Sequence, residues 1–166
     1  LFKHPKFTFL EHDLKEKLDI ECSLIYHFAA KKDLRNSDAS YYIYNLRLTF
    51  NILELALKND AKLIFSSTAS VGQNNAYSKS KKMEEDIIKE FCEENFLRYS
   101  ILRIPNPYGY LHPSLKIDRG SNNLEEIILR GKPFELFTED GVFQKRPFLK
   151  IEDLIEKLLN LELGLN

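Results

Sequence analysis

The sequence predicts an α/β protein, a parallel sheet with helices packed against it. Short runs that are apolar almost throughout alternate with longer stretches of helical periodicity. Continuous apolar runs suit strands buried on both faces of a parallel sheet. Strand and helix in strict alternation is the pattern of right-handed βαβ crossovers.

Phe7-Thr8-Phe9-Leu10 is the first β-prone run, and Asp13 is placed to cap the free amides of a short helix after it. Leu24-Ile25-Tyr26-His27-Phe28 is the second run. Leu46, Phe50, Leu53 and Leu57 then recur at helical spacing and predict an amphipathic helix. Lys62-Leu63-Ile64-Phe65-Ser66 is the third strand, and Met83, Ile87, Ile88, Phe91 and Cys92 mark the next helix. Tyr99 to Ile104 is the fourth strand. Beyond it Pro105, Pro107, Gly109, Pro113 and Gly120 predict loop. A short helix from Leu124 to Leu129 ends at Gly131, a left-handed cap. Phe134 to Thr138 reads as one more strand and Ile151 to Leu159 as a final helix. No internal repeat, linker or low-complexity segment interrupts the series.

With 166 residues the chain is long enough for one real core. Apolar residues at 43% with 30% charged argue against disorder. A net charge of -1 argues against a nucleic-acid partner, which calls for a basic excess. Lys79, Lys81 and Lys82 are followed at once by Glu84, Glu85 and Asp86, and this cluster reads as a solvated helix face. Cys22 and Cys92 fit no metal spacing and read as buried thiols of a reducing cytoplasm, so no metal site is expected. No apolar run approaches the ~20 residues of a membrane span, and no signal-peptide pattern is present. The expectation is a cytoplasmic protein without a membrane partner. The sole methionine is Met83 and the chain opens at Leu1, which reads as a fragment, a trimmed product or an interrupted gene.

Tyr77 and Lys81 stand four apart at the start of a helix, so both project from one face. A tyrosine that moves a proton near neutral pH needs a more acidic phenol, and a nearby ammonium supplies that. With eight tyrosines and lysine at about a tenth of positions, roughly one such pair arises by chance. The pair alone is weak. Upstream, Ser66, Ser67 and Thr68 lie at the carboxyl end of a strand, where open parallel sheets hold ligands. Hydroxyls there either satisfy turn backbone, the reading preferred for Ser66, or hold a substrate oxygen, the reading preferred for Thr68.

Taken together, Leu24 to Ala30 (LIYHFAA), Asn45, Phe65-Ser66-Ser67-Thr68, the Tyr77–Lys81 pair and Leu102-Arg103-Ile104-Pro105-Asn106-Pro107-Tyr108-Gly109 resemble landmarks of the NAD-dependent epimerase/dehydratase family, extended short-chain dehydrogenases that modify nucleotide sugars. They fall in that family's order, and the resemblance runs from about Phe7 to Leu159. It implies a partial Rossmann-type sheet with a dinucleotide-binding domain over 1–110. Residues 111–166 would begin a small substrate lobe. It implies NAD or NADP as cofactor, a nucleotide sugar as substrate and a homodimer through the helices Leu46–Lys58 and Tyr77–Glu94. Carried over by position, Asp13 and Leu14 end a strand flanking the adenine, and Ala29 and Ala30 lie against ribose and pyrophosphate. Lys32 reaches a cofactor oxygen, with a surface lysine the plain alternative. Asn45 steadies the active-site lysine, directly or through a water. Thr68 is the catalytic hydroxyl, Tyr77 the acid–base residue, and Lys81 binds the nicotinamide ribose and tunes Tyr77. Pro105 and Asn106 line the nicotinamide and sugar nucleotide. Arg146 holds a diphosphate, or is simply a surface arginine.

The departures are also informative. The Gly-rich turn that cradles the pyrophosphate on backbone N–H groups is absent from the sequence, and with it the family's first two strands. Leu48 stands where a glycine is common, and Pro147 where an aspartate is usual. Sugar 4,6-dehydratases of the family carry an Asp-Glu pair after the catalytic threonine. Here Ala69 and Ser70 follow Thr68, which disfavours dehydration and leaves epimerisation or keto reduction. Two other readings compete with an enzyme. One is a silent remnant or interaction module of the same fold. The other is a non-enzymatic α/β domain with an accidental Tyr–Lys pair. Cofactor titration separates the first, and Tyr77→Phe the second.

Overall fold

A computed structural model describes residues 4–31, 40–108 and 147–163. The chain divides into two compact units, Leu1–Arg103 and Ile104–Asn166.

The first unit is built on three strands, β1 (Leu24–His27), β2 (Lys62–Thr68) and β3 (Tyr99–Ile104), in the order β1-β2-β3. β1 and β2 run parallel, with Leu24 opposite Lys62 and His27 opposite Phe65. The central strand buries Leu63, Ile64 and Phe65 in succession, the double-sided burial that its continuous apolar run predicts. Helix α1 (Ser40–Asn59) crosses from β1 to β2, and α2 (Ala76–Glu94) crosses from β2 to β3. The two helices pack on one another as well as on the strands. Ile25, Ile52, Leu53, Ala56, Leu63, Phe65, Ile88 and Cys92 form the shared core.

Both helices stop in the same way. Ala61 donates its N–H to the Ala56 carbonyl at 3.0 Å and Leu97 to that of Cys92 at 2.9 Å. Each turn passes through a left-handed residue, Asp60 at φ 49° and Phe96 at φ 57°. This is the six-to-one closure that usually takes glycine at the left-handed position. Here a non-glycine bears the strain, and a buried residue (Ala61 or Leu97) anchors the turn.

Three sequence expectations change in this unit. Phe7–Leu10 is exposed irregular chain outside the three-stranded sheet, so Asp13 and Leu14 end no strand. β propensity makes a strand only where a neighbouring strand takes up its backbone groups. Asp13 does cap: its Oδ1 accepts the Lys15 N–H at 3.0 Å, and its carbonyl accepts that of Glu16 at 2.8 Å. The expected helix stops at that one turn, because the following residues are drawn out along α1. Arg47 Nε donates to the Lys15 carbonyl (2.9 Å), Asn51 Nδ2 to that of Leu14 (2.8 Å), and Asn59 Nδ2 to that of Ile20 (3.1 Å). Lys17 pairs with Glu54 and Asp19 with Lys58. The third change concerns α1, whose buried residues are Asn45, Leu48, Thr49, Ile52, Leu53, Leu55 and Ala56, while Phe50 and Leu57 are exposed. Apolar residues line more than one side of this helix, and the buried side is not the one that carries Phe50 and Leu57.

In the second unit β4 (Asn106–Tyr108) pairs in parallel with β5 (Phe148–Lys150), Pro107 lying opposite Leu149. Loop is what the prolines of this stretch predict, yet a proline is tolerated in a short strand with an open edge. Helix α3 (Ile151–Leu163) follows directly, with Glu152 and Asp153 in its first turn where the helix dipole favours acids. The expected helix at 124–129 with its cap Gly131, the strand at 134–138, and the residues Lys32 and Arg146 lie outside the described residues.

Candidate active site

The site is built where β2 ends and α2 begins. Successive residues of a strand face opposite ways, and the three hydroxyls closing β2 take three different partners. Ser66 Oγ donates to the His27 carbonyl at 3.3 Å, a backbone partner on the neighbouring strand rather than in a turn, and so ties β1 to β2. Ser67 Oγ donates to Glu85 on α2. Thr68 Oγ1 lies 2.9 Å from Ser70 Oγ and accepts the Ser70 N–H at 3.2 Å, while Ser70 Oγ lies 3.0 Å from Ser78 Oγ. A run of hydroxyls thus joins Thr68 to the first turn of α2. That helix starts at Ala76 because Asn75 is its N-cap, its side chain accepting the Ser78 N–H at 2.8 Å.

Tyr77, Lys81 and Glu84 follow at helical spacing and share one face of α2. Lys81 and Glu84 are each only 1% exposed. Their Nζ and Oε2 are 2.9 Å apart, and Nζ sits 4.2 Å from the centre of the Phe65 ring. The two atoms attract as charges, but neither has a hydrogen bond of good geometry among the described residues. Burial pulls the Lys81 ammonium below its usual range, with Glu84 opposing, and pushes the Glu84 carboxyl up, with Lys81 opposing. Burial, and then the Glu84 charge, also push the Tyr77 phenol up. Beside them His27 is buried, its Nε2 3.3 Å from Thr49 Oγ1; burial first, and then the Lys81 charge, hold its pKa at about 4.

Two further contacts fix the frame. Asn45 Oδ1 accepts the Lys31 N–H at 2.8 Å, and its Nδ2 donates to the Lys31 carbonyl (3.3 Å) and to Ser80 Oγ (3.2 Å). It therefore clamps the chain just after Ala29-Ala30 to both helices. Arg103 on β3 grips Glu85 with both arms, Nε to Oε1 at 3.0 Å and Nη2 to Oε2 at 2.7 Å. Burial works to raise the Glu85 carboxyl, but the hydrogen bonds from Arg103 and Ser67 outweigh it and hold the carboxyl low. An open cleft of about 450 Å³ lies nearby, with Tyr42, Gly72, Ser78 and Met83 in its wall. It includes none of Thr68, Tyr77 and Lys81.

Residues 7–161 match the NAD dependent epimerase/dehydratase family. The chain belongs to that family. UDP-glucuronic acid decarboxylase 6 of Arabidopsis thaliana is 27% identical over 191 aligned residues, covering 97% of this chain and 53% of that protein. The crystal structure of a DesIV double mutant (dTDP-glucose 4,6-dehydratase) from Streptomyces venezuelae with NAD and DAU bound superposes with a TM-score of 0.74 at 20% identity, covering 96% of this chain and 56% of that one. UDP-glucuronic acid 4-epimerase from Bacillus cereus, in complex with UDP-glucuronic acid and NAD, gives 0.67 at 24% identity over 84% and 49%. These likenesses show the Rossmann-type parallel sheet. The chain spans about half the length of the curated relatives it matches.

For a member of the epimerase/dehydratase family, the expected site residues fall out unevenly. Thr68, Tyr77, Lys81, Asn45, Ala29 and Ala30 all gather around the carboxyl ends of β1 and β2 and the start of α2. Asn45 bonds Ser80 and Lys31 and makes no hydrogen bond to Lys81. Asp13 and Leu14 lie in the turn at the start of the segment along α1. Pro105 and Asn106 belong to the second unit, where Asn106 Nδ2 donates to the Pro147 carbonyl at 3.1 Å. The solvated face expected of the α2 charge cluster is corrected: Lys79, Lys82 and Asp86 are exposed, but Lys81, Glu84 and Glu85 are buried. Sequence reasoning missed Glu84, Glu85 and Arg103. For Glu84 and Glu85 the signal was their helical register with Ile88 and Cys92, which charge alone obscured; Arg103 lies on β3 and carries no such signal.

Proposed function

We propose that this chain carries part of an NAD(P)-dependent enzyme of nucleotide sugars, either an epimerase, which oxidises a sugar hydroxyl and then reduces the ketone, or a keto-reductase, which reduces a ketone already present. The supporting observation is the hydroxyl run Thr68–Ser70–Ser78, which draws the threonine of β2 to the turn that bears Tyr77. In this reading 1–110 is the partial dinucleotide-binding domain and 111–166 the start of the substrate lobe.

The residues fit a nicotinamide dinucleotide on one feature. An ammonium has three N–H donors, and buried Nζ of Lys81 spends none of them on a well-formed hydrogen bond among the described residues. Those donors suit ribose hydroxyls. Ala29 and Ala30 follow β1, where small side chains allow close approach of the pyrophosphate. When bound, the cofactor supplies a hydride acceptor and donor at C4 of its nicotinamide ring. Thr68 holds the reacting sugar oxygen by a hydrogen bond, and Tyr77, ionised to its phenolate, takes the hydroxyl proton as that oxygen becomes a carbonyl. The proton returns from Tyr77 when the ketone is reduced. Ala69 and Ser70, which follow Thr68, offer no carboxyl pair for water elimination, so dehydration is left out.

Decarboxylation is a second reading, favoured by the named decarboxylases that align over 97% of this chain. A ketone formed β to a uronic carboxylate lets carbon dioxide leave without a further protein base. Ile43, Phe50 and Leu57 on α1 and Met83 on α2 are exposed apolar side chains that suit the homodimer implied by the resemblance. A cytoplasmic setting belongs to the same reading.

The test is titration of the chain with NAD⁺, NADH, NADP⁺ and NADPH by calorimetry, then incubation with UDP- and dTDP-sugars and mass analysis of the product. An isomer of equal mass marks epimerisation, a gain of two hydrogens reduction, and loss of carbon dioxide decarboxylation. No cofactor binding leaves the silent-module reading standing. Tyr77→Phe is expected to lower turnover by at least ~100-fold; unchanged turnover removes its acid–base role.

A further inference from the structure

Lys81 is not where the proposed chemistry uses it. Its ammonium lies beneath α2, 4.2 Å from the Phe65 ring centre and 2.9 Å from Glu84 Oε2. Glu84 sits one turn beyond Lys81 and two beyond Tyr77, on the same face of the helix. A buried pair of this kind has little net worth once desolvation is counted, and this one lacks good hydrogen-bond geometry. It is a place from which an ammonium can be drawn away. A carboxylate left behind in such surroundings escapes the cost of an isolated buried charge by binding a proton.

The charged and titratable groups around the pair are few among the described residues. His27 faces Lys81 from β1, and Tyr77 and Glu85 act from α2 itself. β2 presents the uncharged Phe65 ring. With Lys81 on Glu84, burial and the carboxylate charge both keep the Tyr77 phenol protonated. Moving the ammonium toward Tyr77 while neutralising Glu84 reverses the electrostatic part of that effect.

We propose that Glu84 is a positioning residue: it stores Lys81 on the core side of α2, and on cofactor binding the ammonium moves to the ribose hydroxyls while Glu84 takes one proton from solvent. This rests on the proposed function, since it assumes that a nicotinamide dinucleotide is the ligand. Lys81 keeps its three protons throughout, and Glu84 gains one, so binding takes up to one proton per cofactor.

Two measurements on the 166-residue chain test it. The first follows the Lys81 amine by NMR across pH in wild type and Glu84→Gln. Loss of the carboxylate is expected to raise the neutral fraction of Lys81 at a given pH at least tenfold, with Glu84→Asp in between. An unchanged Lys81 titration overturns the proposal. If Glu84→Gln fails to fold, the double variant Lys81→Met/Glu84→Met decides. Recovery of folding there shows that the stranded ammonium was the fault and supports the pairing, whereas equal failure makes Glu84 a packing residue and overturns it. The second measurement is calorimetric NAD⁺ binding in phosphate and Tris buffers, which differ in ionisation enthalpy. Wild type is expected to take up close to one proton and Glu84→Gln none; equal uptake overturns the movement. Failure of wild type to bind NAD⁺ strikes the proposed function and the movement together, and the Lys81 titration then decides alone whether Glu84 holds it.

Discussion

Glu85 and Arg103 form a two-armed ion pair from α2 to β3, with contacts of 3.0 and 2.7 Å, and Ser67 of β2 donates to the same carboxylate. One acidic residue thereby ties a helix to the two strands beneath it. Burial raises this carboxyl and the hydrogen bonds from Arg103 and Ser67 lower it by more, so the folded pKa lies below the ordinary 4.5. A depressed carboxyl contributes stability that is present above the unfolded pKa and lost as pH falls through the folded one. Glu85→Gln is therefore expected to lower Tm at neutral pH, with the gap from wild type closing as the pH drops below 4.5. Melting curves across that range check it.

His27 has the opposite chemistry and the same sign. Burial, and then the positive Lys81, hold its pKa at about 4 against an ordinary 6.5. The unfolded chain binds this proton first, so the contribution is complete above 6.5 and is lost as pH falls toward 4. At about 1.4 kcal/mol per pH unit the loss is roughly 3 kcal/mol. Urea unfolding of wild type and His27→Gln at about pH 7.5 and about pH 4.5 is expected to show a flatter response in the variant.

Asn45→Ala removes three hydrogen bonds from a buried position, two to the Lys31 backbone and one to Ser80 Oγ. Each hydrogen bond lost costs about 0.5–1.5 kcal/mol net, so a loss of roughly 2–4 kcal/mol is expected in urea titrations, with faster amide exchange at Lys31.

Phe96 closes α2 at φ 57° with its ring 93% exposed, so glycine there loses little packing and relieves the left-handed strain. Phe96→Gly is expected to stabilise by about 1 kcal/mol. A lower Tm would show that the ring contributes more than its exposure suggests.

The three central strands and both long helices were legible because continuous apolar runs and helical spacing are set by burial itself. The order of Thr68, Tyr77 and Lys81 was legible for the same reason, since each sits at the end of a readable element. Phe7–Leu10 misled because a strand is defined by its neighbour, which composition does not reveal. The face of α1 misled because Phe50 and Leu57 are as apolar as Leu53, and only packing chooses between stripes. Lys81, Glu84 and Glu85 were hidden by their charge, although their spacing with Ile88 and Cys92 marks the inner face of α2. β4 and β5, three residues each with a proline in one, carry too little pattern to be seen.

The segment from Leu14 to Cys22 is held by Arg47, Asn51, Glu54, Lys58 and Asn59, all of which come later in the chain. During synthesis the ribosome releases those holding groups only after α1 has been made. The path into β1 therefore stays unfixed until some forty further residues have emerged, and the segment cannot settle before α1 does although it is translated earlier.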